Sequence, residues 1–184
     1  QQYYDDIIIN KKTLHGKTVP IMDIVIEKVD GENHDQLQLA SHLLLQYMEY
    51  QVSMRDTNVH NILHYPGQVL YYDISRISHV IEGTRYGKHT IFIAYADGVP
   101  AGIAGITYAG ENVHLFILPE YRGYDIGRKL IQERVKDGGW FTSIHFENIP
   151  SQNLAKSCGF IKGHRRGNLD VWFAPGIIDN ISET

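Results

Sequence analysis

The pattern of apolar and polar positions is clearest in the middle of the chain, where it predicts a strand, a turn and a helix in succession. Residues 113–118 form a short apolar run rich in β-branched and aromatic side chains, and Pro119 ends the run by removing a ladder donor. Apolar residues then recur with helical spacing: Ile126, Leu130, Ile131 and Val135. Because polar residues fill the intervening positions, we predict an amphipathic helix that begins at Ile126.

The turn between this strand and this helix has the composition of an anion-binding site. It contains Arg122 and two glycines, Gly123 and Gly127. Glycine leaves no Cβ in the way of a ligand, and the start of a helix offers unpaired N–H groups together with the positive end of the helix dipole. We expect a phosphate or diphosphate there; the alternative from these residues alone is a surface turn with a solvated arginine.

Other strands are predicted from shorter patterns. Asp97-Gly98 lies between two apolar runs, 90–96 and 101–108, and this combination predicts a β-hairpin. Nearer the start of the chain, residues 6–10 and 19–27 read as two strands joined by a turn.

The first half of the chain also predicts two helices and is rich in aromatic and imidazole side chains. Asp35 is expected to cap a long helix over residues 37–55, and a second helix is expected over 74–84. We expect most of the aromatic and histidine residues to be core or half-buried and a few to line a pocket. These residues are Tyr47, Tyr50, His60, His64, Tyr65, Tyr71, Tyr72 and His79.

The second half of the chain resembles a known family over residues 90–174. The segment 119–131 resembles the acyl-CoA-binding motif of the GNAT superfamily, the GCN5-related N-acetyltransferases, whose core pattern is Gln/Arg-x-x-Gly-x-Gly/Ala. The predicted hairpin at 90–108 looks like the two strands that precede this motif in the family. Residues 147–160 resemble the second family motif, in which an asparagine opens a helix that ends in Gly-Phe, and a final strand, here 168–173, follows.

The resemblance implies a fold and a division of the chain. The fold class is α/β (α+β), with a mixed, mostly antiparallel central sheet of about six or seven strands flanked by helices on both faces. Residues 1–184 would form a single domain, with a variable, acceptor-side half over 1–89 and a CoA-binding core over 90–174. A chain of 184 residues with 43% hydrophobic content fits one ordinary globular domain.

Two positions depart from the family pattern. Asp125 stands where the phosphate motif usually has glycine, and a carboxylate beside a diphosphate is adverse unless it turns away, for instance to cap the helix that starts at Ile126. Ala155 stands where many members carry a tyrosine that acts as general acid. Another group or water must then protonate the departing thiolate.

The resemblance implies acetyl-CoA as co-substrate and names the residues that would bind it. The pantetheine arm would pair with the backbone of Phe116, Ile117 and Leu118, as an added strand does. Asn148 and Ser151 resemble polar contacts to the same arm, although Asn148 could equally be only the cap of the helix after it. The diphosphate would be held by backbone N–H groups of Arg122, Gly123, Tyr124, Asp125, Ile126, Gly127 and Arg128.

Acyl transfer also needs a base and an oxyanion donor, and the resemblance implies places for both. The donor would be a backbone N–H near Ile117 or Leu118. In several members the base is a glutamate, and the corresponding position here is Glu111, six residues before Ile117. On a regular strand Glu111 and Ile117 would share a face, although a bulge would change that. The alternatives are that Glu111 is an exposed turn residue, or that His114, on the opposite face, is the base.

Composition and charge limit the other function classes. The formal net charge of −4 argues against a general affinity for nucleic acid. One basic segment, 162–167, is predicted as a turn between the last two strands; it is either a solvated hairpin or a contact for an acidic substrate or the phosphorylated end of CoA. His60 and His64 lack a third ligand, so we predict no metal.

A single cysteine, Cys158, excludes an internal disulfide and fits a reducing compartment. No apolar run reaches the length that crosses a bilayer, and we expect a cytoplasmic protein without membrane contact. A homodimer is left open by the sequence.

The sequence therefore predicts an acetyl-CoA-dependent N-acetyltransferase that acts on a primary amine of a protein or a small molecule. The alternatives are a binding module that keeps this fold without its chemistry, and an enzyme with another acyl donor or a nucleic-acid acceptor.

Overall fold

The computed structural model describes residues 11–14, 17–53 and 68–177. These ranges contain four α-helices, one 3₁₀ turn and nine strands. The helices are α1 (His34–Ser53), α2 (Gln68–Arg85), α3 (Ile126–Lys136) and α4 (Ile149–Ser157). The strands are β1 (Lys11–Leu14), β2 (Lys17–Pro20), β3 (Ile24–Lys28), β4 (Thr90–Ala96), β5 (Val99–Ile106), β6 (Asn112–Ile117), β7 (Phe141–His145), β8 (Ile161–Arg166) and β9 (Leu169–Phe173).

The strands form a small hairpin and two larger antiparallel sheets. Strands β1 and β2 pair only with each other, β3–β4–β5–β6 form one larger sheet, and β7–β9–β8 form the other. Among the described residues, the only β-bridge between the two larger sheets is parallel and joins Glu111 to Phe141. The expectation of about six or seven mostly antiparallel strands is confirmed, and the seven strands are divided between two sheets that separate after this bridge.

Helices cover both faces of the four-stranded sheet, as expected. Alternate residues of a strand point to opposite faces, so neighbouring strand residues belong to different parts of the core. On one face, Ile93 packs with Leu43 of α1 and Val80 of α2. On the other face, Phe92 packs with Ile126 and Leu130 of α3. The start of α3 is thereby fixed directly after β6.

The predicted hairpin at 90–108 is confirmed, with β4 and β5 as its strands. Its turn has positive φ at both central residues, 48° at Asp97 and 80° at Gly98. This backbone matches the right-handed twist of the flanking strands and explains the Asp-Gly sequence.

The beginning of the described chain differs from the sequence prediction in its strands. The expected strand over 19–27 is two strands: β2 ends at Pro20, and β3 begins at Ile24. The predicted strand at 6–10 lies outside the described residues.

The two N-terminal helices are confirmed, with corrected starts. Helix α1 begins at His34 and its capping residue is Asn33, not Asp35, because the Asn33 side-chain oxygen accepts a hydrogen bond from the Gln36 N–H at 3.1 Å. Asp35 lies instead in the first turn of the helix. Helix α2 begins at Gln68, six residues before its predicted start at Ile74.

The last elements largely follow the prediction. Helix α4 is capped by Asn148, whose side-chain oxygen accepts from the Ser151 N–H at 3.4 Å. The basic segment was predicted as a turn, but residues 162–166 belong to strand β8, and the turn to β9 is made by Gly167 and Asn168. None of the helices in the described ranges is both long enough and apolar enough to cross a bilayer.

Candidate functional site

The segment after β6 forms the predicted anion-binding turn. A 3₁₀ turn over Pro119–Tyr121 leads into residues 122–125, and α3 begins at Ile126. Gly123 has φ of 87°, and a Cβ built there would have no atom within 4 Å. The first turn of a helix has N–H groups without intrahelical partners, and α3 is long enough, at 11 residues, to contribute a dipole. The turn is therefore open to an anion.

Asp125 occupies this turn without repelling an anion as strongly as the sequence suggests. Its φ of 67° is in the left-handed region, where glycine is usual and where aspartate is tolerated better than most residues. The expectation that its side chain caps α3 is wrong, because it makes no capping hydrogen bond. Its Oδ1 instead accepts from Arg128 Nε at 3.1 Å, and Arg128 Nη1 donates to the Ser157 carbonyl oxygen at 2.7 Å. The carboxylate is drawn toward α4.

Replacing Asp125 by asparagine is expected to tighten binding of acetyl-CoA about threefold to tenfold, because one negative charge near the diphosphate is removed. Asparagine tolerates the left-handed backbone, so the turn is preserved. Isothermal titration at low salt measures the change, which shrinks as salt screens it. The matched control is Asp137→Asn, at the opposite end of α3, and an equal gain in both variants would remove the local explanation.

Arg122 is held by protein groups rather than directed at the turn. Its Nε donates to the Ile117 carbonyl oxygen at 3.2 Å, and its Nη1 donates to the Tyr50 hydroxyl at 2.9 Å. The guanidinium carbon also lies 4.5 Å from the centre of the Tyr50 ring. The Arg122 side chain thus ties α1 to the end of β6. Its backbone N–H donates to the Pro119 carbonyl oxygen at 3.3 Å, so the N–H groups nearest to a ligand in the turn begin at Gly123.

Strand β6 contains a β-bulge that changes which residues share a face. Ile103 pairs with Phe116, and Gly105 pairs with Val113, so β6 has one residue more than β5 between these pairs. His114, at the bulge, has φ of 58°. The expectation that Glu111 and Ile117 share a face is therefore wrong. The extra residue puts Glu111 in phase with Phe116 instead.

The bulge is followed by two backbone N–H groups with different environments. The Leu118 N–H donates to the Ala101 carbonyl oxygen at 2.9 Å, so it is already used within the sheet. Successive residues of a strand direct their N–H groups to opposite edges. The Ile117 N–H therefore points away from β5, to the edge where β7 has separated from β6.

A cleft of about 350 Å³ lies between β6 and β7. It brings together four residues that the sequence singled out: Glu111, His114, Asn148 and Ser151. Residues 122–128 of the anion-binding turn are not among those that line it. Tyr47 and Tyr50 approach from α1, and both rings contact Phe116, with centroid distances of 5.1 and 5.5 Å. The expected contribution of the Tyr-rich half of the chain is confirmed for Tyr47, which lines the cleft.

The two predicted bases have different environments in this cleft. Burial lowers the pKa of His114 to about 3, and the nearby charges of Arg76, His89 and Arg134 act in the same direction. The imidazole is then neutral at pH 7 and has little affinity for a proton. Glu111 is half-buried, and its backbone N–H is used within the protein, because it donates to Thr107 Oγ1 at 3.1 Å. Its carboxylate lines the cleft, so Glu111 stays the candidate base.

Ala155 lies in the wall of the cleft and is 5% exposed, packed with Ile131 and Phe160. A tyrosine hydroxyl is thus absent from this position. No group of three or more potential metal ligands occurs among residues whose placement is described. His60 and His64 lie outside those residues.

Sequence reasoning missed two cleft residues, His145 and Arg134. His145 ends β7, and its Nδ1 accepts from the Glu147 N–H at 3.1 Å. Arg134 is 4% exposed although it is charged. The sequence spacing could have predicted the burial of Arg134. It follows Leu130 by four residues and Ile131 by three, which places it on the apolar face of α3.

Comparison with known proteins identifies the type of fold. Residues 87–162 match a family model described as an acetyltransferase (GNAT) domain. A search of curated protein sequences gives no match.

Three solved structures illustrate the likeness. The PaiA N-acetyltransferase from Thermoplasma acidophilum, in complex with coenzyme A, is 17% identical, with 83% of this chain and 99% of that chain covered and a TM-score of 0.61. An acetyltransferase from Streptococcus agalactiae is 13% identical, with 82% and 97% covered and a TM-score of 0.58. YncA from Salmonella typhimurium, a putative acetyltransferase with its cofactor acetyl-CoA, is 17% identical, with 82% and 91% covered and a TM-score of 0.53.

Proposed function

We propose that the protein transfers an acetyl group from acetyl-CoA to a primary amine, on the premise that residues 87–162, which match the model of a GNAT acetyltransferase domain, act as such a domain. The observation that carries the proposal is the cleft between β6 and β7, in which a candidate base, Glu111, lies directly before the strand that leads to the predicted anion-binding turn. Two of the similar structures contain coenzyme A or acetyl-CoA, and this supports the choice of donor.

The turn residues fit the diphosphate of acetyl-CoA. Gly123 leaves space where a side chain would stand, and the backbone N–H groups over residues 123–128 offer donors at the start of α3. The predicted contact of the Arg122 N–H would require it to leave the Pro119 carbonyl oxygen. The arm of the donor would lie along the free edge of β6, where the Ile117 N–H is available and the Leu118 N–H is not. The side-chain oxygen of Asn148 already caps α4, so a contact with the arm would use its side-chain NH2 group.

The chemistry assigned to the chain is direct attack on the thioester. Glu111, directly or through water, removes a proton from the acceptor ammonium, and the amine nitrogen bonds to the thioester carbon. The nitrogen then loses its second proton to solvent as the C–S bond breaks. The Ile117 N–H donates to the oxyanion that forms in between. The thiolate leaves and takes up a proton from water or a nearby group, since Ala155 supplies none.

The acceptor is proposed to bind on the side of α1 and α2, because residues of both helices line the cleft. This assigns residues 1–89 to acceptor binding and 90–174 to CoA binding within one domain. The single cysteine supports a reducing compartment, and we place the protein in the cytoplasm. A homodimer is compatible with these assignments.

A binding module without catalysis is the second candidate, and the observation that favours it is the missing hydroxyl at Ala155. Release of free CoA thiol, followed with a thiol reagent in the presence of amines, separates the two candidates. Turnover eliminates the module, whereas tight binding of acetyl-CoA without turnover supports it.

Gly123→Ala is expected to weaken binding of acetyl-CoA about tenfold or more, because the added Cβ strains a backbone with φ of 87° and turns its N–H groups away from the diphosphate. Isothermal titration with acetyl-CoA measures this loss. Gly167→Ala is the matched control, since Gly167 has φ of 62°, also has no atom within 4 Å of a built Cβ, and lies in the distant β8–β9 turn. Equal affinity of the Gly123 variant and the unaltered protein would refute the assigned diphosphate site.

A further inference from the structure

Arg134 is a buried cation without an acidic partner. Its Nη1 donates to the Val113 carbonyl oxygen at 2.9 Å, beside the bulge of β6. Its Nε is buried and has no hydrogen-bond partner. No carboxylate forms an ion pair with Arg134 in the part of the chain that the structure describes. A buried charge of this kind is costly unless something compensates it.

The guanidinium remains charged at neutral pH. Burial lowers the pKa of Arg134, but only to about 10. Burial first, and then the charges of Arg76 and Arg134 among others, lower the pKa of His114. The imidazole therefore responds to the positive charge that the two arginines bring to the cleft.

The wall of the cleft contains few negative charges to balance it. Arg134 and Arg76 both line the cleft, and Glu111 is the single carboxylate among its described lining residues. Because Nη1 is bonded to Val113, the edge of the guanidinium that carries Nε is the one without a described acceptor. An arginine edge of this kind presents parallel N–H groups that match the two oxygens of a carboxylate.

We propose that a substrate bound in this cleft carries a carboxylate group that pairs with Arg134. The proposal rests on the function proposed above, since it takes the cleft as the place of acyl transfer. The carboxylate can come from either side of the reaction: from a dicarboxylic acyl group on CoA, or from an acceptor that is an amino acid. Arg134 would bind and orient the substrate, and it would take no part in proton transfer.

The direct test measures carboxylate binding without turnover. Succinate and glycine, each compared with its amide, which lacks the carboxylate, at equal ionic strength, are added to the protein and the unfolding temperature is followed. At least one of the two carboxylates is expected to raise it, and its amide is not. The stabilisation is expected to be absent in Arg134→Met and partly retained in Arg134→Lys, which keeps the charge. Lys136→Met, an exposed substitution on the same helix, is expected to behave like the unaltered protein.

The kinetic test identifies the source of the carboxylate. The ratio of kcat/KM for succinyl-CoA to that for acetyl-CoA, and the ratio for glycine to that for ethylamine, are measured in the same variants. One ratio is expected to exceed tenfold and to fall toward one in Arg134→Met. An equal loss for substrates with and without the additional carboxylate would instead make Arg134 a support for the bulge and overturn the proposal.

Failure of the two proposals can be distinguished. Absence of transfer from every donor, with stabilisation by carboxylates intact, refutes the acyltransferase and keeps the carboxylate site. If no carboxylate raises the unfolding temperature and no carboxylate-bearing substrate is preferred in kcat/KM, the carboxylate site is refuted, whether or not acetyl transfer occurs.

Discussion

Glu111→Gln is expected to lower turnover about 10²-fold or more, because the variant keeps the shape of the side chain and removes the group that accepts the ammonium proton. Affinity for acetyl-CoA is expected to stay unchanged, since Glu111 lies near the start of β6 and the anion-binding turn follows its end. The dependence of kcat/KM on pH is expected to lose its acidic limb. Steady-state kinetics over a range of pH, together with isothermal titration, measure both effects.

The matched control is Glu133→Gln on α3, whose carboxylate pairs with Lys136 at 3.4 Å outside the cleft. This variant is expected to keep normal turnover. If Glu111→Gln instead leaves turnover and its pH profile intact, the glutamate is not the base. Activation of the amine would then depend on water or on another cleft residue.

Acidification from pH 7 to pH 5 is expected to cost the protein about 2 kcal/mol of folding free energy through His114 alone. The folded-state pKa of His114 is lowered to about 3, chiefly by burial, from its ordinary value of 6.5. Between these two values the unfolded chain binds a proton that the folded chain excludes. The contribution to stability is therefore present above pH 6.5 and is lost as pH falls toward 3.

Chemical denaturation at the two pH values measures this loss. His114→Asn removes the titrating group and tolerates the left-handed backbone at the bulge, so its stability should fall less between pH 7 and pH 5. His164→Asn, on the exposed strand β8, is the control and should follow the unaltered protein. Equal acid sensitivity of the unaltered protein and the His114 variant would show that His114 is accessible to protons in the folded state.

The parts of the fold that sequence predicted are those that depend on local patterns. Asp97-Gly98 fixes its hairpin because the turn needs two residues with positive φ, whatever the rest of the chain does. The stripe that begins at Ile126 predicts α3 because its period is helical and its apolar side needs a core. Of the two roles left open for Asn148, capping of α4 is confirmed, and contact with the cofactor arm stays a prediction.

The errors concern contacts that depend on geometry away from the residue itself. Asp35 and Asn33 are both good capping residues, and only the backbone path decides that Asn33 takes the role. The bulge at His114 depends on the pairing of β6 with β5. The six-residue spacing between Glu111 and Ile117 therefore could not predict which face of the strand carries Glu111. Likewise, the carboxylate of Asp125 turns toward Arg128 because Arg128 is itself fixed by the end of α4.

The single bridge between Glu111 and Phe141 gives the cleft a closed end and an open end. The closed end is reinforced by Asn112, whose side chain donates to the Phe141 carbonyl oxygen at 3.1 Å. From there to Ile117 the free edge of β6 extends roughly 16 Å, at about 3.3 Å per residue. An extended arm that enters from the anion-binding turn can advance only until it meets this bridge. The bridge thus limits how far a bound arm could extend along β6 past the Ile117 N–H toward Glu111.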